Sequence, residues 1–420
     1  MGKINKILFL TGFIAVGFIS LAQDFPYRIN YYKFINYNSN YFIWKGNSLS
    51  QYDSLFTKFN ELAVLGNNQI HIFHLGDSHV QADFFPGEMR KRMQNLINGG
   101  ISSRGFIFPY HLAKTNNPPD YKSSSNVEWE RCRNVSQTEN CELGIAGINI
   151  YTNQFPAEIN INFNLKDFYP YSFNKLKIFY NINDDAFDFQ LANFNGNIEK
   201  KNNFAQGYTE IKLDNYLNQL EMNVVRCDTT QKPFILSGIV FENDDPGIIY
   251  SSVGVNGAET RSFFKCSLLI PQLKAIAPSW IIVSLGTNDA YPKAYSEKLF
   301  YNNYDSLLTL IRSVCPSTPI LLTTPGDSYR ANKVLNTNNI SAGTVILKLA
   351  EKHNAAVWDF FKVMGGLGSI NRWNESGMTN KDRLHLSKKG YIFQGDLLFN
   401  AFLNAYDNFI NRNSQRTWKN

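Results

Sequence analysis

Three kinds of hydrophobic pattern follow one another along the 420 residues. Near the start, Leu49, Tyr52, Leu55, Phe56, Phe59, Leu62 and Ala63 recur at helical spacing, which predicts a helix packed by one face. Residues 69–75 (QIHIFHL) read as a buried strand, closed by a tight turn at Gly76-Asp77-Ser78. A helical pattern then runs from about 84 to 97. From about 112 to 246 the period becomes two: 158–165, 175–180, 187–191 and 209–213 alternate polar and apolar positions, as half-buried antiparallel strands do. Asn and Pro/Gly/Ser clusters punctuate them, and several short strands with turns between them predict a β-sandwich. After 246 continuous apolar runs return at 247–253, 280–285, 319–324 and 355–360, separated by helical patterns at roughly 296–314, 338–353 and 388–408. Such alternation predicts a parallel sheet covered on both faces. The economical reading is one α/β domain, 23–111 with 247–412, interrupted after its first βα unit by a β-sandwich at 112–246 and followed by a tail at 413–420. A structureless connection of that length would be unusual in a compact domain.

Composition narrows the class. With 44% hydrophobic and 18% charged residues the chain is globular. Its net charge of +6 includes no Lys/Arg block, so nothing supports a nucleic-acid partner. Residues 1–22 read as a secretory signal peptide: Lys3 and Lys6, a short apolar run at 7–19, then small side chains at Ser20 and Ala22 ahead of Gln23. The alternative, an uncleaved anchor, suffers from a run short of the ~20 residues a span needs. No Cys follows the run, so a lipid anchor is not indicated, and no later segment is apolar enough for a membrane. The expectation is an exported protein, periplasmic or extracellular, with no stable membrane insertion once the leader is gone. Among the five cysteines, Cys132 and Cys141 are close enough in sequence to bridge a local loop in an oxidising compartment. The odd count leaves at least one thiol unpaired. No CxxC or Cys/His cluster has zinc spacing, so a metal is not expected; an organic cofactor is not expected either.

Four short motifs stand at the carboxyl ends of predicted strands, where open α/β sheets place their sites. Gly76-Asp-Ser78-His79 can present a Ser hydroxyl at a strand-to-helix turn, with its own N–H aimed at the same spot. Gly254-Val-Asn-Gly257 offers a backbone N–H that a ligand can approach closely. Gly286-Thr-Asn288-Asp289 supplies an amide donor for a developing oxyanion. In Asp382-Arg-Leu-His385 the spacing lets the carboxylate reach imidazole Nδ1, leaving Nε2 for a nucleophile.

On these four blocks, in this order, the chain resembles the SGNH (GDSL-type) hydrolases. The resemblance implies a flavodoxin-like three-layer fold with a parallel sheet. It implies Ser78 as nucleophile, His385 as general base and Asp382 as its orienting carboxylate. Ser78 N–H, Gly257 N–H and the Asn288 amide would form the oxyanion hole. The family's usual Leu after the Ser is His79 here. That variant, with the long β insertion, is similar to the peptidoglycan O-acetylesterase branch, which inserts a carbohydrate-binding-module-like, jelly-roll-like sandwich at this point. The likeness extends to Val363-Met-Gly-Gly-Leu-Gly and Trp373; for the inserted domain it rests on position and texture alone.

The expected function is therefore an exported serine esterase removing O-acetyl groups from an envelope glycan, with peptidoglycan favoured as the partner polymer. Acetylated xylan or a capsule is the enzymatic alternative, and a glycan-binding protein on a dead hydrolase scaffold the non-enzymatic one. Trp373 and Ser328 are candidates for the substrate pocket wall, and His79 either contacts substrate or sits in the first helical turn. Ser328 belongs to a second Gly-Asp-Ser, 326–328, in the wrong chain order for a nucleophile. Asp83 reads as a first-turn carboxylate favoured by the helix dipole, and His71 and His74 as core histidines.

Overall fold

The computed structural model describes residues 25–417 other than 98, 139–140, 164, 167, 183–186, 193 and 229–232. The leader expected at 1–22 lies outside the described residues. The chain begins with β1 (Phe42–Ile43), α1 (Ser48–Leu65), β2 (Gln69–Gly76), α2 (Ser78–Gln81) and α3 (Phe84–Gln94). A run of strands follows: β3 (Gly105–Ile107), β4 (Lys122–Ser124), β5 (Glu130–Arg133), β6 (Ile148–Thr152), β7 (Ala157–Asn162) and β8 (Phe173–Tyr180). It continues through β9 (Phe187–Leu191), β10 (Ile198–Asn203), β11 (Tyr208–Leu217), β12 (Gln219–Arg226) and β13 (Phe234–Glu242). The α/β alternation then resumes with β14 (Gly247–Gly254), α4 (Leu269–Ile276), β15 (Trp280–Ser284), α5 (Thr287–Ala290), α6 (Glu297–Val314) and β16 (Ile320–Thr323). A short hairpin, β17 (Tyr329–Arg330) and β18 (Val334–Leu335), precedes α7 (Asn338–Lys352), β19 (Ala356–Trp358), α8 (Phe360–Met364), α9 (Ile370–Glu375) and α10 (Lys388–Thr417).

The order β14-β2-β15-β16-β19 is parallel throughout, with β1 antiparallel at the edge. Alternate residues of these apolar strands serve opposite layers. Ile72, Trp280, Ile282 and Leu321 pack with α1, α3 and α10. Phe73, Ile281, Val283 and Leu322 pack under α4, α6 and α7. Helix α10 runs past the tail position expected from 413: residues 411–417 contain neither Pro nor Gly, and Arg412 reaches Asp53 of α1 at 2.5 Å.

The antiparallel strands form two sheets, β10-β11-β8-β13-β6-β5 and β4-β7-β12-β9. Their inner faces share one core, in which Phe189 and Phe234 meet at 6.1 Å between centroids. β3, inside the segment read from sequence as α/β, pairs with β13. Gly105 makes that crossing possible: its φ is +78°, and a Cβ there would lie 2.5 Å from both Ile249 and Ser251. The core beneath the parallel sheet thus continues into the sandwich. Cys132 and Cys141 are disulfide-bonded, whereas Cys227, Cys266 and Cys315 are free.

A buried ionic cluster fastens the same seam. Asp83 accepts from Arg90 at 2.7 Å and Arg104 at 3.2 Å, and Asp120 accepts from the same two at 3.0 and 2.5 Å. The reading of Asp83 as a dipole-favoured first-turn carboxylate is corrected here. It is the N-cap of α3 in a left-handed conformation, φ 60°, and its side chain makes no cap bond. Its carboxylate is instead committed to two guanidinium groups and Ser252.

Candidate active site

Strand pairing assembles the site. Gly76 lies in register with Gly254 on one side and Ser284 on the other. The turns after β2, β14 and β15 therefore emerge side by side, carrying Ser78, Gly257 and Asn288 to one sheet edge. Asp77 caps the one-turn helix that Ser78 opens, accepting the His79 N–H at 2.9 Å. The segment before α10 supplies the rest. Ser78 Oγ lies 3.0 Å from His385 Nε2, and His385 Nδ1 lies 2.8 Å from Asp382 Oδ2. The other Asp382 oxygen accepts the backbone N–H groups of Leu384 and His385, both at 3.0 Å. This tight turn forces Arg383 to φ +49°. Its guanidinium lies over the Tyr329 ring and its carbonyl accepts Tyr329 N–H at 2.9 Å, which holds the turn against β17.

Electrostatics fit this geometry. Partial burial pushes the Asp382 carboxyl up, but the His385 side chain and the two N–H donors outweigh it, so its pKa lies below the ordinary carboxylate range. It is the charged partner that an imidazolium needs. Asp77 behaves oppositely: burial, with the nearby Asp289 charge adding to it, pushes it up to about 7. Asp289 itself is pushed up to about 6 by burial, although Thr260 donates to it from backbone and side chain.

Gly257 has φ +83° and open space where a side chain would project. Asn288 commits one amide proton to Ala258 O at 2.9 Å. The other meets Asp77 Oδ2 at 3.3 Å, a long contact that a substrate oxygen can displace. Ser78, Gly257, Asn288 and His385 line one cleft of about 520 Å³. The arrangement can deliver a proton-relieved hydroxyl to a carbonyl and offer donors to the resulting oxyanion.

Several functional neighbours were not singled out from sequence. Asn116, Asn380, Lys388 and Tyr391 share the cleft wall. Behind it, buried Gln81 accepts Asn256 N–H at 2.7 Å and donates to Thr115 Oγ1 and Asn116 O. Gln81 stands in the Ser78 block, yet only its partners reveal its use. Nothing local marks Asn116.

The choice left open for His79 is decided in favour of the first helical turn, and two expectations are corrected. His79 does not face the cleft. Its ring lies behind His385, with centroids 5.3 Å apart and near-parallel planes, and its Nδ1 meets Tyr391 OH at 2.9 Å. Burial, with His385 adding to it, lowers it to about 3, so it stays neutral. Trp373 is wholly buried among Phe34, Phe360 and Phe393, and its indole N–H donates to Met364 O. The loop that delivers His385 needs an apolar anchor, and Trp373 is that anchor, not a wall. Ser328 is also buried, accepting from Asn339 at 3.0 Å. It lines a small recess of about 30 Å³ together with Asp77, His79 and Leu384, apart from the cleft that Ser78 lines. His71 and His74 are satisfied by Ser251, Tyr250 and Ser284, and burial lowers both to about 3.

Residues 234–392 match the model of the GDSL-like Lipase/Acylhydrolase family. The matched stretch includes Gly257, Asn288, Asp382 and His385; Ser78 stands ahead of it because the sandwich intervenes. Together with the geometry of Ser78, His385 and Asp382, that similarity defines the class as a carboxylic ester hydrolase. The whole fold is similar to a solved structure titled as a peptidoglycan O-acetylesterase in action. The TM-score is 0.70 at 19% identity, covering 87% of this chain and 99% of that one. That likeness includes the inserted sandwich. A lipase/acylhydrolase from Enterococcus faecalis (21% identity, TM-score 0.29) covers only 37% of this chain and 74% of its own. No curated protein matches the sequence.

Proposed function

We propose that the protein is an exported esterase that removes O-acetyl groups from a cell-envelope glycan, with peptidoglycan as the favoured polymer. The observation that carries the reading is the hydrogen-bonded row Asp382–His385–Ser78, with links of 2.8 and 3.0 Å, opening into the cleft that Gly257 and Asn288 line. Ser78 Oγ attacks the acetyl carbonyl as His385 Nε2 takes its proton, and Asp382 stabilises the imidazolium. The N–H groups of Ser78 and Gly257 and the Asn288 proton that leaves Asp77 receive the oxyanion. Collapse expels the sugar hydroxyl, which recovers the proton from His385. Water, activated by the same imidazole, then releases acetate and restores Ser78.

Export is supported by the leader pattern and by the Cys132–Cys141 disulfide, a bond typical of oxidising compartments. The peptidoglycan assignment draws support from the similar fold of the O-acetylesterase structure. Acetate release from O-acetylated peptidoglycan and from acetylated xylan, measured side by side on the mature protein, tests it. Preferential release from peptidoglycan is expected. Preference for xylan would move the substrate, and release from neither would remove the glycan esterase reading.

A further inference from the structure

The Asp382–His385 pair stands on a surface turn, its side chains 48% and 33% exposed, so core packing does not fix the imidazole. Two hydrogen bonds hold the edge of the ring, Nδ1 to Asp382 and Nε2 to Ser78. Bonds in the ring plane set where the edge points but resist a tilt out of that plane only weakly. A general base works while it stays within hydrogen-bond reach of the proton it takes. The face of the ring therefore needs a support of its own.

His79 bears on that face. The two rings lie 5.3 Å apart between centroids, at 25° between planes. Two elements hold His79 in turn. Its N–H donates to Asp77 Oδ1 at 2.9 Å in the cap of α2, and its Nδ1 meets Tyr391 OH at 2.9 Å in the first turn of α10. The Tyr391 ring stands edge-on to it at 5.7 Å. That turn of α10 is fastened closely: Ser387 N–H donates to Met378 O at 2.9 Å, and a Cβ at Gly390 would collide with the same oxygen.

The choice of an imidazole here goes against packing alone. His79 Nε2 is buried without a partner, which costs stability that an apolar side chain of like size would not lose. Charge supplies the other half of the argument. His385 becomes an imidazolium during turnover. Burial, with His385 adding to it, lowers the His79 pKa to about 3, so His79 presents a neutral π face to that cation and not a like charge.

Building on the esterase reading, we propose that His79, held by Tyr391, is the positioning residue of the general base: its neutral ring keeps the His385 imidazole aimed at Ser78 and favours the protonated form of that imidazole.

Three variants test this on a small acetyl ester. His79→Leu removes the ring, His79→Phe keeps a flat face without nitrogen, and Tyr391→Phe removes only the hydroxyl. His79→Leu should lower kcat about tenfold with KM within about twofold, and His79→Phe and Tyr391→Phe should each lose only about threefold. The acidic limb of kcat/KM should move to lower pH by about half a unit in His79→Leu, because the protonated form loses its π partner. Asp382, Asp77, Asp289, Lys388 and Tyr391 stay the same in both His79 variants, so the difference between profiles reports the stack. The proton shared by His385 Nδ1 and Asp382 gives a readout that needs no turnover: its low-field resonance should broaden in His79→Leu and stay sharp in His79→Phe. Unchanged kcat and limb in His79→Leu, a rise in KM with kcat intact, or equal losses in the Leu and Phe variants would overturn the positioning role. Wild-type protein that turns over no ester would remove the esterase reading instead. The resonance would then decide the stack alone, broadening in His79→Leu supporting it and an unchanged signal overturning it.

Discussion

At Asp77 one carboxyl serves both the turn and the site: it caps the helix that presents Ser78 and touches the Asn288 amide. Burial pushes it up to about 7, so on folding it keeps a proton that the unfolded chain gives up near the ordinary carboxylate value of 3.8. Its contribution to stability is full below about 4 and is lost as pH rises through about 7, because the native state binds the extra proton over that window. Asp77→Asn should therefore flatten the fall in unfolding free energy between pH 4 and 7, leaving a smaller slope from Asp289. Urea titrations at pH 5 and pH 8 check this; an unchanged difference between the two would contradict it. At this scale the sequence was most readable where partners lie close along the chain. Asp382 and His385 are three residues apart, and Ser78 sits in a turn whose residue types declare it. Trp373 misled, and His79 left two readings open, because their local signals are those of any aromatic or polar residue near a site. Only their packing, behind His385 and among Phe34, Phe360 and Phe393, decides their use.

Between elements, the important joints are hydrogen bonds across long sequence separations. Gln81 of α2 holds the loop after β14 through Asn256 N–H and the loop before β4 through Thr115 and Asn116. Gln81→Leu removes the acceptor while keeping the bulk, leaving a half-buried N–H unpaired at a cost of about 1 kcal/mol. Because Asn256 adjoins Gly257, kcat on a small acetyl ester should fall roughly tenfold with little change in KM, as for an interaction needed in the transition state. An equal rise in KM with kcat intact would place Gln81 in substrate binding instead. The elements themselves were legible from period: helices α1, α6 and α7 fall where 3.6-residue spacing puts them, and β7 where alternation does. The crossing of β3 onto β13 was not, since three residues, GFI, carry no period that names a partner strand.

Over the whole molecule, the parallel sheet and the sandwich share a core and a buried four-charge cluster, so neither is a free appendage. One cooperative thermal transition is expected. Phe234→Ala, in the sandwich and packed on Trp129, Tyr180, Phe187 and Phe189, should lower stability by about 3–5 kcal/mol. Activity and global unfolding should shift together; two resolved transitions, with activity following only one, would show the parts to be independent. The alternation of texture announced an inserted β unit, because a change of period from continuous runs to two is visible over many residues. How firmly it is joined depends on Arg90, Arg104 and Asp120, whose charges read in isolation as ordinary surface groups. Catalysis through the Asp382–His385–Ser78 row requires that Ser78 become acylated. The most direct measurement quenches the mature protein during turnover of a small acetyl ester and determines by peptide mass spectrometry where the acetyl group sits. Acetyl-Ser78 should accumulate in the wild type, with turnover and adduct both lost in Ser78→Ala. Turnover that survives Ser78→Ala, or an acetyl group on another residue, would contradict it.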